Sequence, residues 1–449
     1  MIKEVNKQQI TKSINKQTLI LQPNNTSDKT KKVKKTTLIG PFKQVIPMSG
    51  LSLKGTITDS QLIILEDSGI LVENGTVQEI GNFEALANRL TDIEIHELKG
   101  SHTCLPGLID AHTHICFGGS RANDYALRNA GKSYLEIAKA GGGIWDTVTQ
   151  TRKATPDELV KKTTKLANRH LKNGVTTIEV KSGYGLSVDE ELKMLRAIAE
   201  TNKNVSADLI ATCLAAHMLP KDFDGSHDEY LSEITENLFP ILKDEKLANR
   251  IDAFVEESAF SAKQIMPYFQ KAKALGFDIT VHADQFSTSG SEVAVNIGAL
   301  SADHLEASSQ KEIDLLANSN VVATALPGAS IGLGCAFAPA RKILDRGGAL
   351  AIASDHNPGS APMGDLLTQA SILGTFEKLS NAEVLAGITF RAAAALNLKD
   401  RGQLKKGFNA DFIGFHTDNY QEILYNQGNF KPCMVWKNGE LVFDKHKAR

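Results

Sequence analysis

Two histidines one residue apart, in Asp110-Ala111-His112-Thr113-His114, are the first side chains in the sequence with an obvious chemistry to offer. On an extended strand, side chains two apart leave the same face with Cα atoms about 6.6 Å apart, so His112 and His114 can converge on one ion. Taken alone, the pair is equally well explained as two core histidines. Further polar clusters follow at Lys181-Ser182-Gly183-Tyr184, Ala216-His217, His282-Ala283-Asp284-Gln285, Asp303-His304 and Asp355-His356-Asn357. Neutral imidazoles with a carboxylate suit zinc or non-haem iron, whereas magnesium or calcium would call for mostly oxygen ligands. The five cysteines (Cys104, Cys116, Cys213, Cys335, Cys433) contain no C-x-x-C pair. That argues against a thiolate cluster or a disulfide framework and for a reduced compartment.

The elements that must position these clusters are legible as eight short runs rich in Val, Ile and Ala. They are Thr103 to His114, Val175 to Gly183, Asp208 to His217, Arg250 to Ser258, Asp278 to Gln285, Ala299 to Glu306, Asn320 to Gly328 and Leu350 to Gly359. Helix-like stretches separate them. Thr155-Pro156-Asp157-Glu158 and Ser187-Val188-Asp189-Glu190 read as capping boxes, and Gly174 and Gly276 stand where C-terminal caps belong. Strands alternating with helices imply parallel pairing. Eight such units predict an α/β fold, a (β/α)₈ TIM barrel in preference to an open doubly wound sheet. Functional side chains of such a barrel gather at the C-terminal ends of its strands. Of the 12 histidines, His112, His114, His217, His282, His304 and His356 fall at those ends, which displaces the reading of scattered core histidines.

The flanks differ in character. Thr37 to Ile39, Leu62 to Leu65, Gly69 to Val72 and Thr76 to Ile80 are β-prone runs, matched by Ala410 to Phe415 and by Met434 to Phe443 around the Asn438-Gly439 hairpin signal. Residues 36–103 and 400–449 are therefore expected to form one small β-sandwich domain bracketing a barrel of residues 104–399. Residues 1–35 hold nine lysines and no arginine against Glu4 and Asp28. They carry +7, leaving 41 basic and 50 acidic residues, or −9, elsewhere, so the total of −2 describes neither part. Without a sustained apolar period they are expected to be a disordered Lys-rich extension. Without arginine or interleaved aromatics they give no support to nucleic-acid binding. A composition of 42% hydrophobic and 23% charged residues excludes collagen, coiled coil and wholesale disorder. No run of about 18 apolar residues or of signal-peptide type is present, which predicts a cytoplasmic protein without a membrane partner.

Pro106-Gly107-Leu108-Ile109-Asp110-Ala111-His112-Thr113-His114 resembles the first-strand motif of the amidohydrolase superfamily. From about residue 36 onward the sequence is similar, within that superfamily, to the imidazolonepropionase family. The denser motifs are Phe117-Gly118-Gly119-Ser120-Arg121, Gly141-Gly142-Gly143-Ile144, Thr151-Arg152, Lys181-Ser182-Gly183-Tyr184-Gly185-Leu186, Ala216-His217, His282-Ala283-Asp284-Gln285 and Ser354-Asp355-His356-Asn357-Pro358-Gly359. The resemblance implies metal-dependent hydrolysis of the cyclic amide of 4-imidazolone-5-propanoate to N-formimidoyl-L-glutamate in histidine degradation. It implies that His112, His114, His282 and Asp355 hold one zinc or iron ion (Fe2+ or Fe3+) with water in the open position. Val255-Glu256-Glu257, and no lysine, ends the fourth run, which favours a single ion. Asp355 is implied as the base, His304 as the group that polarises the carbonyl, and Gln285 and His217 as further catalytic residues. Some relatives have Glu at position 285, whereas Gln only exchanges hydrogen bonds. Arg121, Tyr134, Tyr184, His217, Gln285, Asn357, Gly359 and Ser360 are implied substrate contacts, with Arg121 the bidentate partner of the propionate. Asp284 is expected behind the metal ligands and Cys116 as a small buried neighbour. The resemblance further implies a homodimer. A purine or pyrimidine aminohydrolase would share the four ligands but commonly carries Glu at position 285, and a non-catalytic relative would have lost ligands.

Overall fold

The computed structural model describes residues 36–132, 136 and 141–447. Tyr134 and the expected Lys-rich extension of residues 1–35 lie outside the described residues. Five strands come first: β1 (Thr36–Val45), β2 (Leu65–Glu73), β3 (Thr76–Asn82), β4 (Glu94–Glu97) and β5 (Thr103–Pro106). Eight follow in the middle of the chain: β6 (Leu108–Asp110), β7 (Val175–Lys181), β8 (Asp208–Ala216), β9 (Arg250–Val255), β10 (Asp278–Ala283), β11 (Ser301–His304), β12 (Val322–Ala325) and β13 (Ala349–Ile352). The last three are β14 (Phe412–Phe415), β15 (Met434–Lys437) and β16 (Glu440–Asp444).

Strands β6 to β13 pair in sequence order, all parallel, as one eight-stranded sheet wrapped by helices. Residues enclosed on both faces of such a sheet must be apolar, which is why these strands read as runs of Val, Ile and Ala. Ile178, Val180, Cys213, Ile251, Val281, Ala302 and Leu350 are all fully buried. The last strand meets the first just beyond their regular ends, where Asp355 N donates to the His112 carbonyl (3.0 Å) and His114 N to the His356 carbonyl (2.9 Å). Candidate site residues thus close the barrel themselves.

Between the strands, the helix Pro156–Lys172 starts as the sequence predicts. Thr155 Oγ1 accepts from Glu158 N, the Glu158 carboxylate accepts from Thr155 N, and Gly174 follows the helix with φ +92. Ser187 makes no such cap on the helix Val188–Asn204. Glu190, the acid of that pattern, pairs with Lys193, and the carboxylate of its neighbour Glu191 accepts from the backbone N–H groups of Gly183, Gly185 and Leu186 in the preceding loop.

The terminal strands form a separate mixed sheet in the order β16-β15-β14-β5-β1-β2-β3, with β4 also paired to β1. Phe42, Phe412 and Trp436 fill its core with ring centroids 4.8 to 6.1 Å apart. Two predicted runs differ from what forms. Leu62 to Leu65 is not a strand of its own; Leu65 is only the first residue of β2. The run from Thr103 to His114 divides between the sheets, β5 pairing with β1 and β14, and β6 with β7. The break is at Gly107, where a Cβ would lie 2.3 Å from Thr176 Oγ1, so only glycine lets the chain pass from one sheet to the other.

Candidate metal-dependent active site

Strand β6 and the residues after it carry His112 and His114 to the C-terminal mouth of the barrel, β10 carries His282, and Asp355 follows β13. Their ligand atoms face one another. His114 Nε2 lies 3.2 Å from His112 Nε2 and 3.4 Å from His282 Nε2, and Asp355 Oδ1 lies 3.6 Å from His112 Nε2 and 3.5 Å from His114 Nε2. Two overlapping triads result, one of His112, His114 and Asp355, the other of His112, His282 and His304. All five residues are buried.

The donor set fits a zinc or iron ion. Asp355 Oδ1 is buried without a hydrogen-bond partner, which is costly for a carboxylate oxygen that binds nothing. Burial, reinforced by the charge on Lys181 and by neighbouring rings, pushes the His112 imidazole well below its usual range; burial and His282 do the same to His114. Burial pushes His282 down to about 4 against the opposing charge of Asp252. Neutral imidazole is the form that ligates a metal. The Nδ1 atoms are held from behind, His112 by Asp303 Oδ2 (2.7 Å) and His282 by Asp252 Oδ2 (2.9 Å). A carboxylate there places the hydrogen on Nδ1 and turns the Nε2 lone pair inward.

Behind these two carboxylates sits one cation. Lys181, the last residue of β7, is wholly buried with Nζ 2.8 Å from Glu179 Oε1, 2.9 Å from Asp252 Oδ2 and 4.0 Å from Asp303 Oδ2. Burial opposes its charge, yet the three carboxylates outweigh burial and hold its pKa above the usual lysine range. His282 and Lys181 hold the Asp252 carboxyl well below its usual range in spite of burial.

His304 stands apart electrostatically. Burial alone would lower its pKa, but Glu306, 3.4 Å from Nδ1, together with Asp355 and Asp303 leaves it raised. Its surroundings thus favour the charged ring, in contrast to His112, His114 and His282. Burial pushes the Asp355 carboxyl up to about 6, with His304 and Asn357 opposing.

The cluster opens into a cavity of about 810 Å³ whose wall includes Arg121, Tyr184, His217, Gln285, Asn357, Gly359 and Ser360. The substrate residues expected from the sequence are thus brought together, Tyr134 excepted because it lies outside the described residues. His217 Nδ1 donates to the Gly183 carbonyl (2.8 Å), leaving Nε2 as an acceptor. The Asn357 amide bridges Asp355 Oδ2 (2.9 Å) and Ser360 Oγ (2.9 Å), and its oxygen accepts from Gly359 N and Ser360 N (both 2.8 Å). Arg121 pairs through Nε with Asp124. Cys116 is buried, its thiol pushed up to about 12 by burial, which removes it from the metal chemistry.

Asp284 does not support a metal ligand. It caps the next helix, accepting from Ser289 N, Ser291 N and Ser308 Oγ, because the chain turns away after His282 with φ +52 at Asp284. The carboxylates behind His282 and His112 are Asp252 and Asp303; Asp303 stands beside His304 in the sequence, and Asp252 lies in no cluster of the kind quoted above. The available signal was a charged residue every second position inside otherwise apolar runs: Glu179 and Lys181 in β7, Arg250 and Asp252 in β9. Such residues point into the barrel and must find partners there.

The amidohydrolase family model matches residues 103–442. An imidazolonepropionase of Bacillus mycoides is 41% identical over 387 residues, spanning 86% of this chain and 91% of that protein. One of Bacillus cytotoxicus is 40% identical over the same length and shares. Among solved structures, a triazine hydrolase variant superposes with a TM-score of 0.71 at 17% identity, covering 91% of this chain and 95% of that one. An adenosine deaminase from Xanthomonas campestris with bound zinc gives 0.68 at 19% identity, covering 91% and 93%. At such identities the two structures bear on the fold alone.

Proposed function

The chain belongs to the amidohydrolase family, in its imidazolonepropionase branch, and from that premise we propose that it opens the ring of 4-imidazolone-5-propanoate by hydrolysis, using the residues assembled at the barrel mouth. The reaction is the cyclic-amide hydrolysis of histidine degradation, giving N-formimidoyl-L-glutamate. The observation that carries the residue assignments is a single cavity with a buried histidine–carboxylate cluster and a guanidinium, Arg121, both facing it. One end suits hydrolysis and the other a carboxylate.

In this reading His112, His114, His282 and Asp355 hold one zinc or iron ion, which when bound lowers the pKa of water from 15.7 towards about 7 and polarises the carbonyl. Asp355 accepts the proton of the attacking water and returns it to the leaving ring nitrogen. Its Oδ2 is held by the Asn357 amide (2.9 Å), and Oδ1 faces the histidine cluster. His304 presents its Nε2 side to the cavity, with Nδ1 turned to Glu306, and donates to the carbonyl oxygen as negative charge develops there. Gln285 makes no hydrogen bond to other described residues and lines the cavity, so its amide is free for the ring nitrogens. His217, with Nε2 an acceptor, receives a ring N–H, and Arg121 takes the propionate.

Loss of imidazolonepropionate absorbance on addition of purified protein, run beside ammonia release from guanine and cytosine, tests the assignment. Activity in the second assay alone would overturn it. Metal analysis after gentle isolation distinguishes zinc from iron. The family resemblance also implies a cytoplasmic homodimer, which light scattering checks for oligomeric state.

A further inference from the structure

Three cations line the cavity wall: Arg121, Arg128 and Lys132. Two of them are matched by acid. Arg121 Nε is paired with the buried Asp124, whose Oδ2 also accepts from Gly143 N, and Lys132 Nζ lies 3.0 Å from Glu136 Oε1. Arg128 has no carboxylate within ion-pair distance among the described residues. Its Nη2 makes one long contact to the Gly359 carbonyl (3.4 Å), its guanidinium lies over the Tyr125 ring, and its Nε is buried with no hydrogen-bond partner. A guanidinium that lines the cavity with one long contact and no carboxylate beside it has donors left for an incoming acceptor.

The helix Ala122–Asn129 explains the placement. Arg121 immediately precedes it and Arg128 is seven residues later, two turns along the same face. Both long side chains reach Gly359: Arg128 Nη2 contacts its carbonyl, and a Cβ there would lie 3.1 Å from Arg121 Nη1, so a side chain at this position would crowd the Arg121 guanidinium.

We propose that Arg128 is a second carboxylate-binding residue of the site, supplying the unbalanced positive charge that selects an anionic tail while Arg121, already neutralised by Asp124, supplies geometry. The proposal rests on the reading of the substrate as a ring bearing a propionate. It assigns the two guanidiniums different work: Arg121 fixes the direction of the carboxylate and Arg128 the preference for a charged over an uncharged ligand.

Calorimetric binding separates this from the question of turnover. Imidazole-4-propionate carries the tail on a ring that is not hydrolysed, and 4-methylimidazole lacks the tail. For the zinc-loaded wild type, Arg128→Met and Arg128→Lys, the expected result is at least a tenfold loss of imidazolepropionate affinity in Arg128→Met. Arg128→Lys should retain affinity within about threefold, and all three proteins should bind 4-methylimidazole equally. Equal loss of both ligands in Arg128→Met would mean that the residue only braces the loop at Gly359, and overturns the proposal. So would unchanged imidazolepropionate binding in Arg128→Met, or a wild type with no preference for the ligand with the tail. Turnover of imidazolonepropionate by the wild type, measured alongside, tests the reaction itself, and the binding differences among variants decide the role of Arg128 whichever way that turnover falls.

Discussion

Replacing Lys181 with methionine is the sharpest probe of how the ligands are held. The side chain is 0% exposed and its Nζ faces the carboxylates of Glu179, Asp252 and Asp303 at 2.8, 2.9 and 4.0 Å. Methionine matches its length but leaves buried carboxylates without a counter-charge, a change that typically costs about 3–5 kcal/mol. Spread over a chain of this size, that lowers Tm by roughly 4–6 °C in metal-free protein. Part of the loss should be recovered in Lys181→Met/Glu179→Gln, which removes one of the stranded charges. The effect on the site is separate from the effect on stability. Asp252 and Asp303 orient His282 and His112, and disturbing such supporting groups weakens metal binding about 10–100-fold. Competition titration of zinc against a chromogenic chelator, on folded Lys181→Met below its Tm, measures this directly. Zinc affinity within twofold of wild type would refute the argument that the lysine–carboxylate array orients the ligands, even if Tm fell as expected.

Asp355→Asn keeps the shape of the side chain but, in the proposed mechanism, removes both the base and a ligand charge; hydrolysis should fall by about 10³-fold or more, read in the imidazolonepropionate assay. Arg121→Lys keeps a charge beside Asp124 and loses the guanidinium fork, so KM should rise about tenfold with kcat little changed. Removing metal by dialysis against chelator should abolish hydrolysis, and zinc restored at about 1,000 times its Kd should stabilise the fold by about 4 kcal/mol, visible as a higher Tm. His170 is pushed down to about 3 by burial, from an ordinary value of 6.5. Because the unfolded chain takes up that proton first, its contribution to stability is intact above about pH 6.5 and declines by about 1.4 kcal/mol per unit as pH falls towards 3. Denaturant midpoints for His170→Gln should show a slope shallower by one proton in that window.

The barrel was legible because a parallel sheet enclosed on both faces narrows the choice of residue: seven of the eight runs contain their strands whole, and the eighth, from Leu350, misses only Ala349. What escaped was decided by tertiary geometry. Nothing local marks Gly107 as the point where one run serves two sheets; the reason is Thr176, 69 positions away. Ser187-Val188-Asp189-Glu190 has a capping-box pattern, yet the neighbouring Glu191 is drawn to the N–H groups of the Gly183 loop and Ser187 leaves the helix uncapped by its side chain. At the site, His112, His114, His282 and Asp355 were found because motif and strand end coincide. Lys181 and Asp303 stood in clusters at their strand ends and Asp252 in none, but their pairing was not legible, because only the closing of the barrel brings β7, β9 and β11 close enough for their charges to meet.

The division of the first run at Gly107 has a consequence for the order of events during synthesis. Strand β5 is flanked by β1 on one side and by β14 on the other, and β5 continues directly into β6 and the two histidines after it. Residues 412–415 leave the ribosome roughly 300 positions after β5, tens of seconds later at about 5–20 residues per second. Until then the edge of β5 that receives β14 is unpaired, while β6 beyond it already has β7 as its neighbour. A messenger truncated before β14 would yield a chain that holds all eight barrel strands but whose β5, the strand that leads into β6, is paired on one side only.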